Sequence, residues 1–444
     1  MTTDAALSAE AERKGRAAEP DGAPRIAILD ILRGIAILGI LFMNVNDMAQ
    51  SFSGPDIRHL GWSVADQIAW WTRQILADGT ARALLEMLFG AGMVILTERI
   101  AGIARGKVLR RYYWRNIVLW AFGMIHIFVL MWPGDILHTY GVAALVAFWF
   151  RRLRPRWLIV IGLIGATMQL GAASYFGIYQ PTRQRAEVAT LTAKRDAGQS
   201  LTPAETKTLK KAAENAAKRA KNKAEHKAEV AAEDKARSST SANWFRAQVD
   251  KSIERLGFGE LFAIWEATGT MLIGAALFKM GILQGARSRG FYLRLTLIAY
   301  AIGLPMRAWG AWEITRFNDM PRLDWAWQEY ARLAATLGHI GLVNLLATTI
   351  VGARLLRPFV AAGRTALSIY VAQTLICLWL LFPPFALGLY GQLTWMPMML
   401  ASVAIDALLL WGANVYLRHY AIAPVEWAWR SIVEGRKLAL RRAA

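Results

Sequence analysis

The chain has 444 residues, 55% of them hydrophobic, with 19 tryptophans and a formal net charge of +20. Several apolar runs reach the ~20 residues that cross a bilayer, which excludes an ordinary soluble enzyme and makes this a polytopic membrane protein. One cysteine, Cys377, forms no internal disulfide and excludes a CxxC metal or redox centre, and the basic residues gather in short loops between apolar runs, the pattern of membrane topology rather than of nucleic-acid binding.

Residues 1–24 are polar and rich in Ala and Glu, without the apolar core of a signal peptide, and read as a disordered cytoplasmic tail. The first span is expected at about Arg25–Ala49. After it, the mixed polar and aromatic segment Val64–Leu76, with Ile68, Trp70, Trp71 and Ile75, has the composition of an interfacial helix. Spans two to five are expected at about Ala83–Ile100, Tyr112–Trp132, Asp135–Phe150 and Trp157–Ile178. Spans six to ten follow at about Gly257–Leu283, Phe291–Trp312, Trp327–Val351, Gly363–Leu387 and Trp395–Leu417. Alternate short loops carry the arginines, so the positive-inside bias predicts an all-α bundle of about ten transmembrane helices with both termini cytoplasmic, in a bacterial inner membrane. Two membrane halves, 25–178 and 257–418, then flank an insert at 179–256, and a basic cytoplasmic tail covers 419–444.

The insert is rich in Ala, Lys and Glu. Thr202-Pro203-Ala204-Glu205 is a helix start, with Thr as cap, Pro in the first turn and Glu three residues after the cap. It predicts one long charged extracytoplasmic helix, read first as a solvated spacer and alternatively as a contact for anionic lipid or polymer.

Polar groups inside apolar spans mark candidate sites. Asp30 and Arg33 are neighbours on one helix face, and Asn44, eleven residues beyond Arg33, returns to that face after about three turns. The stripe is either one wall of a polar cleft or an Asp30–Arg33 pair snorkelling at the inner interface. Glu86 is a buried acid with Arg82 four residues before it. Gly90 and Gly92 permit close helix packing.

The stretch Gly123–Gly141, GMIHIFVLMWPGDILHTYG, places His126 one turn before a Trp-Pro-Gly break and Asp135 just after it. His126 is either a packing histidine or a base; Asp135 is either a helix cap or the carboxylate that orients that imidazole. Tyr140 adds a hydroxyl to the candidate set, while His138 and His59 read as bystanders nearer water. Glu260, Glu266, Arg307, His339, Asn344, Gln373, Asp406 and Asn414 read as interhelical hydrogen-bond partners. No Walker A loop, strand-borne GxGxxG, HExxH or GxSxG occurs, which argues against an ATP-driven pump and common soluble chemistries. No metal site is expected.

RIAILDILRGIAILGILFMNV, GMIHIFVLMWPGDILHTYG, MLIGAALFKMGIL, GRTALSIYVAQTLIC and LRHYAIAPVEWAWR together resemble the YeiB-like family of bacterial inner-membrane proteins, from Arg25 to about Arg436. That family is similar to a broader superfamily of transmembrane acyltransferases, which includes lysosomal heparan-glucosaminide N-acetyltransferase and bacterial glycan O-acyltransferases. The resemblance implies transfer of an acyl group from a cytoplasmic thioester, with acyl-CoA as possible donor, to a glycan, lipid or small-molecule acceptor reached from the far side. The O-acyltransferases carry an arginine where Arg33 stands and a histidine where this chain has Asn44. The chain also has Thr80, Ala81 and Glu86 where many family members carry a Lys-Phe pair and a small residue. His126 is therefore the replacement candidate for the base, with Asp135 and Tyr140 beside it and Asp30, Arg33, Asn44 and Glu86 as donor or substrate contacts. A transporter or flippase using the same polar groups is the alternative, although the two halves share no repeat. A scaffold binding another membrane protein through the insert, and a homodimer, are further possibilities.

Overall fold

A computed structural model describes residues 27–99 and 105–441. The expected N-terminal tail, residues 100–104 and the last three residues of the expected C-terminal tail lie outside the described residues. Helices α1 (Ala27–Ala49), α2 (Val64–Thr72), α3 (Thr80–Arg99), α4 (Arg105–Phe128) and α5 (Leu137–Ala147) begin the bundle. Next come α6 (Pro155–Gly162), α7 (Ile164–Ala172), α8 (Gln180–Asp196), α9 (Pro203–Ser238) and α10 (Ser241–Arg255). The chain closes with α11 (Gly259–Lys279), α12 (Arg289–Thr315), α13 (Asp324–Ala347), α14 (Ile350–Arg364), α15 (Ala366–Thr374), α16 (Trp395–His419) and α17 (Pro424–Glu434).

Among the described residues, five helical runs are long and apolar enough to cross a membrane, or six if the pair α13 and α14, bent by 115°, is one broken span. The expected count of ten is higher because it includes helices that are shorter or less apolar, such as Leu137–Phe150 and Ala366–Leu381. Two boundaries differ from expectation. The segment read as interfacial joins α3 through a π-turn at Arg73–Ala77 into one 35-residue run, and the fifth span continues past Tyr179 into α8. The arginine-bearing loop after α13 is itself a helix: α14 lies along α1, with Arg354 and Arg357 exposed.

Packing runs through small residues, as the apolar pattern requires. A Cβ at Gly90 would collide with the Met271 carbonyl, so α3 and α11 cross at backbone distance. Gly92 has open space and makes no such crossing. The core includes Leu32, Ile40, Leu41, Met87, Leu272 and Leu378, all at most 1% exposed. Outside, Trp149, Met168, Phe176, Phe262, Ile298, Leu355 and Trp411 are well exposed. An apolar outside around an interior that holds charged groups is the arrangement a bilayer demands.

The insert is helical, and Thr202 forms the expected capping box: Glu205 N–H donates to Thr202 Oγ1 and Thr202 N–H to the Glu205 carboxylate. Lys194 Nζ, 2.9 Å from Glu205, together with the Thr202 bonds holds that exposed carboxyl down to about 2. The solvated-spacer reading fails for its second half. Arg237 is fully buried and donates to the carbonyls of Asp47, Met48 and Gln50, closing the C-terminal end of α1. Glu233 accepts from Ser51, Phe52 N–H and Ser53. His59 is not a free loop residue either; its Nε2 lies 2.7 Å from Asp234. On α10, Trp244 is buried against Phe245, Trp379 and Phe385, and Gln248 Nε2 donates to Met131 O at 2.8 Å. The docked half therefore covers the end of the bundle where α1 stops and the Trp132 break lies.

Candidate functional site

Helix α4 ends at Phe128, and Met131 takes φ of 59°, a conformation that costs a β-carbon-bearing residue roughly 1–2 kcal/mol. The turn is held by Gln248 on Met131 O and by Trp379 Nε1, which donates to Leu130 O at 3.0 Å. Its consequence is that Asp135 folds back under α4. A Cβ at Gly123 would lie 2.7 Å from Asp135 Oδ2, so only glycine leaves room for the carboxylate there.

The two readings of Asp135 are both realised, one by each oxygen. Oδ2 accepts the His138 N–H at 2.9 Å, as a cap does, and Oδ1 is 2.7 Å from His126 Nδ1. His126 Nε2 lies 2.9 Å from Thr374 Oγ1 on α15. With the Nδ1 proton on the Asp135 side, Nε2 is free to accept from the threonine hydroxyl. The result is a hydroxyl–imidazole–carboxylate line in which His126 is 1% exposed and Thr374 is fully buried. Tyr370, one turn before Thr374, packs its ring edge-on against His126 at 4.7 Å and accepts from Trp132 Nε1 and Ile136 N–H at 3.2 Å each.

His138 is not a bystander. Its Nδ1 is 3.0 Å from Asp135 Oδ2 and its Nε2 is 3.2 Å from Glu260 Oε1, so a proton on each nitrogen satisfies both carboxylates. Thr139 donates to the same Glu260 oxygen at 2.7 Å. Asp135 and Glu260 are thus linked through one imidazole ring. Tyr140 does not join His126; its hydroxyl donates to Arg82 O at 3.3 Å, because the α5 helix turns it toward α3.

A second polar group lies on that side. Arg82 pairs with Glu266 and stands 3.7 Å from Glu86, the expected i, i+4 partner. Arg332 on α13 reaches Glu266 at 2.7 Å, Glu329 at 2.6 Å and Glu86 at 3.7 Å. Five charged side chains from three helices are therefore gathered inside the bundle. Arg307 donates to the carbonyls of Gln74, Ile75 and Asp78, satisfying the end of the π-turn.

Of the first-span stripe, Asp30 and Arg33 pair at 2.8 Å with the arginine 36% exposed, the snorkelling arrangement. Asn44 has no side-chain hydrogen bond among the described residues and is about 16 Å in helix rise from Arg33, so the stripe is not one site. Gln373 links α1 to α16 by donating to Ile37 O at 3.2 Å and Asp406 Oδ1 at 3.0 Å. Among the described residues no cluster of His, Cys, Asp and Glu has the makings of a metal site.

Thr374, Tyr370, Arg332 and Glu329 were missed in the sequence. The i, i+4 pair Tyr370 and Thr374 beside Gln373 was the available signal for the first two, and the i, i+3 pair Glu329 and Arg332 for the others.

Residues 277–436 match the family described as "Protein of unknown function (DUF418)". The chain is 26% identical over 422 residues to the uncharacterized protein YxaH of Bacillus subtilis, covering 92% of this chain and 94% of that one. It is 27% identical over 434 residues to the uncharacterized protein YeiB of Escherichia coli, covering 92% and 96%. A shorter match, 26% over 130 residues, covers 28% of this chain and 36% of an uncharacterized 39.9 kDa protein in the amylase 3' region of Bacillus acidopullulyticus. The chain is thus similar to YxaH and YeiB along nearly its whole length, and its residues 277–436 carry the match to the family of unknown function.

Proposed function

We propose that the chain is a membrane-embedded acyltransferase of the bacterial inner membrane, with about ten crossings and both termini cytoplasmic. The observation that carries the reading is the Thr374–His126–Asp135 line, at 2.9 and 2.7 Å. A hydroxyl, a base and an orienting carboxylate in hydrogen-bond reach are what acyl transfer needs. The donor is an acyl thioester such as acyl-CoA. As acceptor oxygen or nitrogen bonds to the acyl carbon and the C–S bond breaks, His126 Nε2 takes the acceptor proton and returns it to the departing thiolate. Asp135 holds the imidazole in the required tautomer and stabilises its charged form. Thr374 Oγ1 stands where an acyl-carrying hydroxyl would. Gln373, next to it, reaches Ile37 O one turn from Arg33, which gives the proposed donor contacts Asp30 and Arg33 a short route to the base. The acceptor is a glycan, lipid or small molecule reached from the extracytoplasmic side.

Purified protein supplied with a panel of radiolabelled acyl-CoAs is expected to transfer or hydrolyse one of them, with loss in His126→Ala and Thr374→Val. Equal turnover in His126→Ala sinks the assignment. Topology is tested by labelling single cysteines placed at 210 and 440 in a Cys377→Ser background, expected on opposite sides.

A second reading, a transporter or flippase, is favoured by the Arg82, Glu86, Glu266, Glu329 and Arg332 group, since charges inside a bundle mark substrate or proton paths. Proton-dependent uptake into liposomes without chemical change of the substrate would select it.

A further inference from the structure

Three of the five charges, Arg82, Glu329 and Arg332, line a cavity of about 280 Å³ between α1, the π-turn, α3, α12 and α13. We propose that this cavity binds a small zwitterion, a molecule or headgroup carrying one primary ammonium and one carboxylate or phosphate.

The two walls ask for opposite charges. On one side, Arg332 is only 5% exposed, yet its Nη1 has no hydrogen-bond acceptor; Arg82 Nε likewise has none. Both atoms stand 3.7 Å from Glu86, close enough for attraction and too far for a hydrogen bond. Those atoms face Glu86, but both arginines also line the cavity, where an anion oxygen would pair with them.

On the other side is Asp324 at the start of α13. Its backbone N–H donates to Glu313, but its carboxylate has neither ion pair nor side-chain hydrogen bond among the described residues. Asp78, also lining the cavity, is paired with Arg73 at 3.0 Å, and Glu329 with Arg332, so Asp324 is the lining acid without an ion pair among the described residues. Arg322 and Arg307 lie near Asp324 without an ion pair to it among the described residues, and Arg307 Nε and Nη2 are committed to the carbonyls of residues 74, 75 and 78. An ammonium beside Asp324 completes the second wall.

Size narrows the class further. The volume sits just below the roughly 300–1,000 Å³ of sites for drug-sized ligands, so an amino acid or a phosphoethanolamine group fits and a nucleotide does not. The site is independent of the His126 line.

The test uses the full chain in nanodiscs of phosphatidylglycerol, followed by calorimetry and thermal unfolding. β-Alanine and O-phosphoethanolamine are compared with acetate, inorganic phosphate and ethylamine. Either zwitterion is expected to bind at least about tenfold more tightly than any single-charge probe, the contribution of one additional charge-assisted pair. Asp324→Asn breaks no ion pair, so the variant is expected to fold and to lose that advantage while keeping the anion response. A parallel set of discs containing phosphatidylethanolamine separates the sources. Binding of free zwitterion in the first discs assigns a soluble ligand; stabilisation only by the second, abolished in Asp324→Asn, assigns a headgroup. Equal binding of all probes with no response to phosphatidylethanolamine overturns the proposal, as does an unchanged preference in Asp324→Asn.

Discussion

Two polar regions lie side by side in the bundle and differ in how completely their groups are satisfied. Around His126, both ring nitrogens and both Asp135 oxygens have partners at 2.7–3.0 Å. Around Arg332, ion pairs are plentiful, yet Arg82 Nε, Arg332 Nη1 and Glu86 Oε2 are buried without hydrogen bonds. The first region is a closed relay that fixes one geometry. The second is an open one, with capacity left over and a cavity beside it. In a low-dielectric interior, complete satisfaction gives rigidity and incomplete satisfaction leaves energy for a ligand or a proton to recover.

Substitutions can break this contrast, and the largest effect is expected on chemistry. His126→Ala should lower acyl transfer by about 10²–10⁴-fold, the usual weight of a general base. In the same assay Asp135→Asn should act in the same direction, and Tyr140→Phe, whose hydroxyl faces Arg82, should change little. For stability the order reverses toward the other region. Arg332→Met leaves three glutamates without their shared cation and should cost about 3–5 kcal/mol, read from thermal unfolding in detergent. If His126→Ala proves the more destabilising of the two, the relay is a packing element and the contrast is wrong.

The docked insert gives smaller effects. Arg237→Ala removes the cation that closes three carbonyls at the end of α1, those of Asp47, Met48 and Gln50, and should cost about 2–3 kcal/mol, with faster tryptic release of residues 207–237 and an intact bundle. Docking should also depend on pH. Burial raises the Glu233 carboxyl, but hydrogen bonds from Ser51 and Phe52 N–H, the nearby Arg237 charge and Ser53 outweigh it and hold it below its ordinary value. A depressed native value means docking is complete above the ordinary glutamate range near ~4.3 and is lost as pH falls through the lower native value. Hydrogen exchange across residues 229–238 should show that loss, and Glu233→Gln should flatten it. Least of all, Thr202→Ala should loosen only the first turn of α9, by about 1 kcal/mol, seen as faster exchange at 203–206.

Much of the architecture was legible because it follows from local rules. Apolar runs, the capping box at Thr202 and the short-range pairs Asp30–Arg33 and Arg82–Glu86 are set by spacing along one helix. The break at Trp132-Pro133-Gly134 likewise announced that His126 and Asp135 would be close. What stayed hidden depends on which helix faces which. Thr374 is 248 residues from His126, and Arg332 is far in sequence from Glu86 and Glu266. Composition gave the insert the look of a solvated helix, since the residues that turn inward, among them Arg237, Glu233, Trp244 and Gln248, are few and mostly polar.

The sequence by itself determined that this is an all-helical membrane protein with an acid and a histidine poised across a break, because hydropathy and helix periodicity act over a few turns. Only the tertiary structure decided that the imidazole's second nitrogen meets a threonine, that His138 bridges two acids, and that the Tyr140 hydroxyl turns to the Arg82 carbonyl. Those choices follow from backbone-close crossings such as Gly90 on Met271, where the geometry of one helix against another selects each partner.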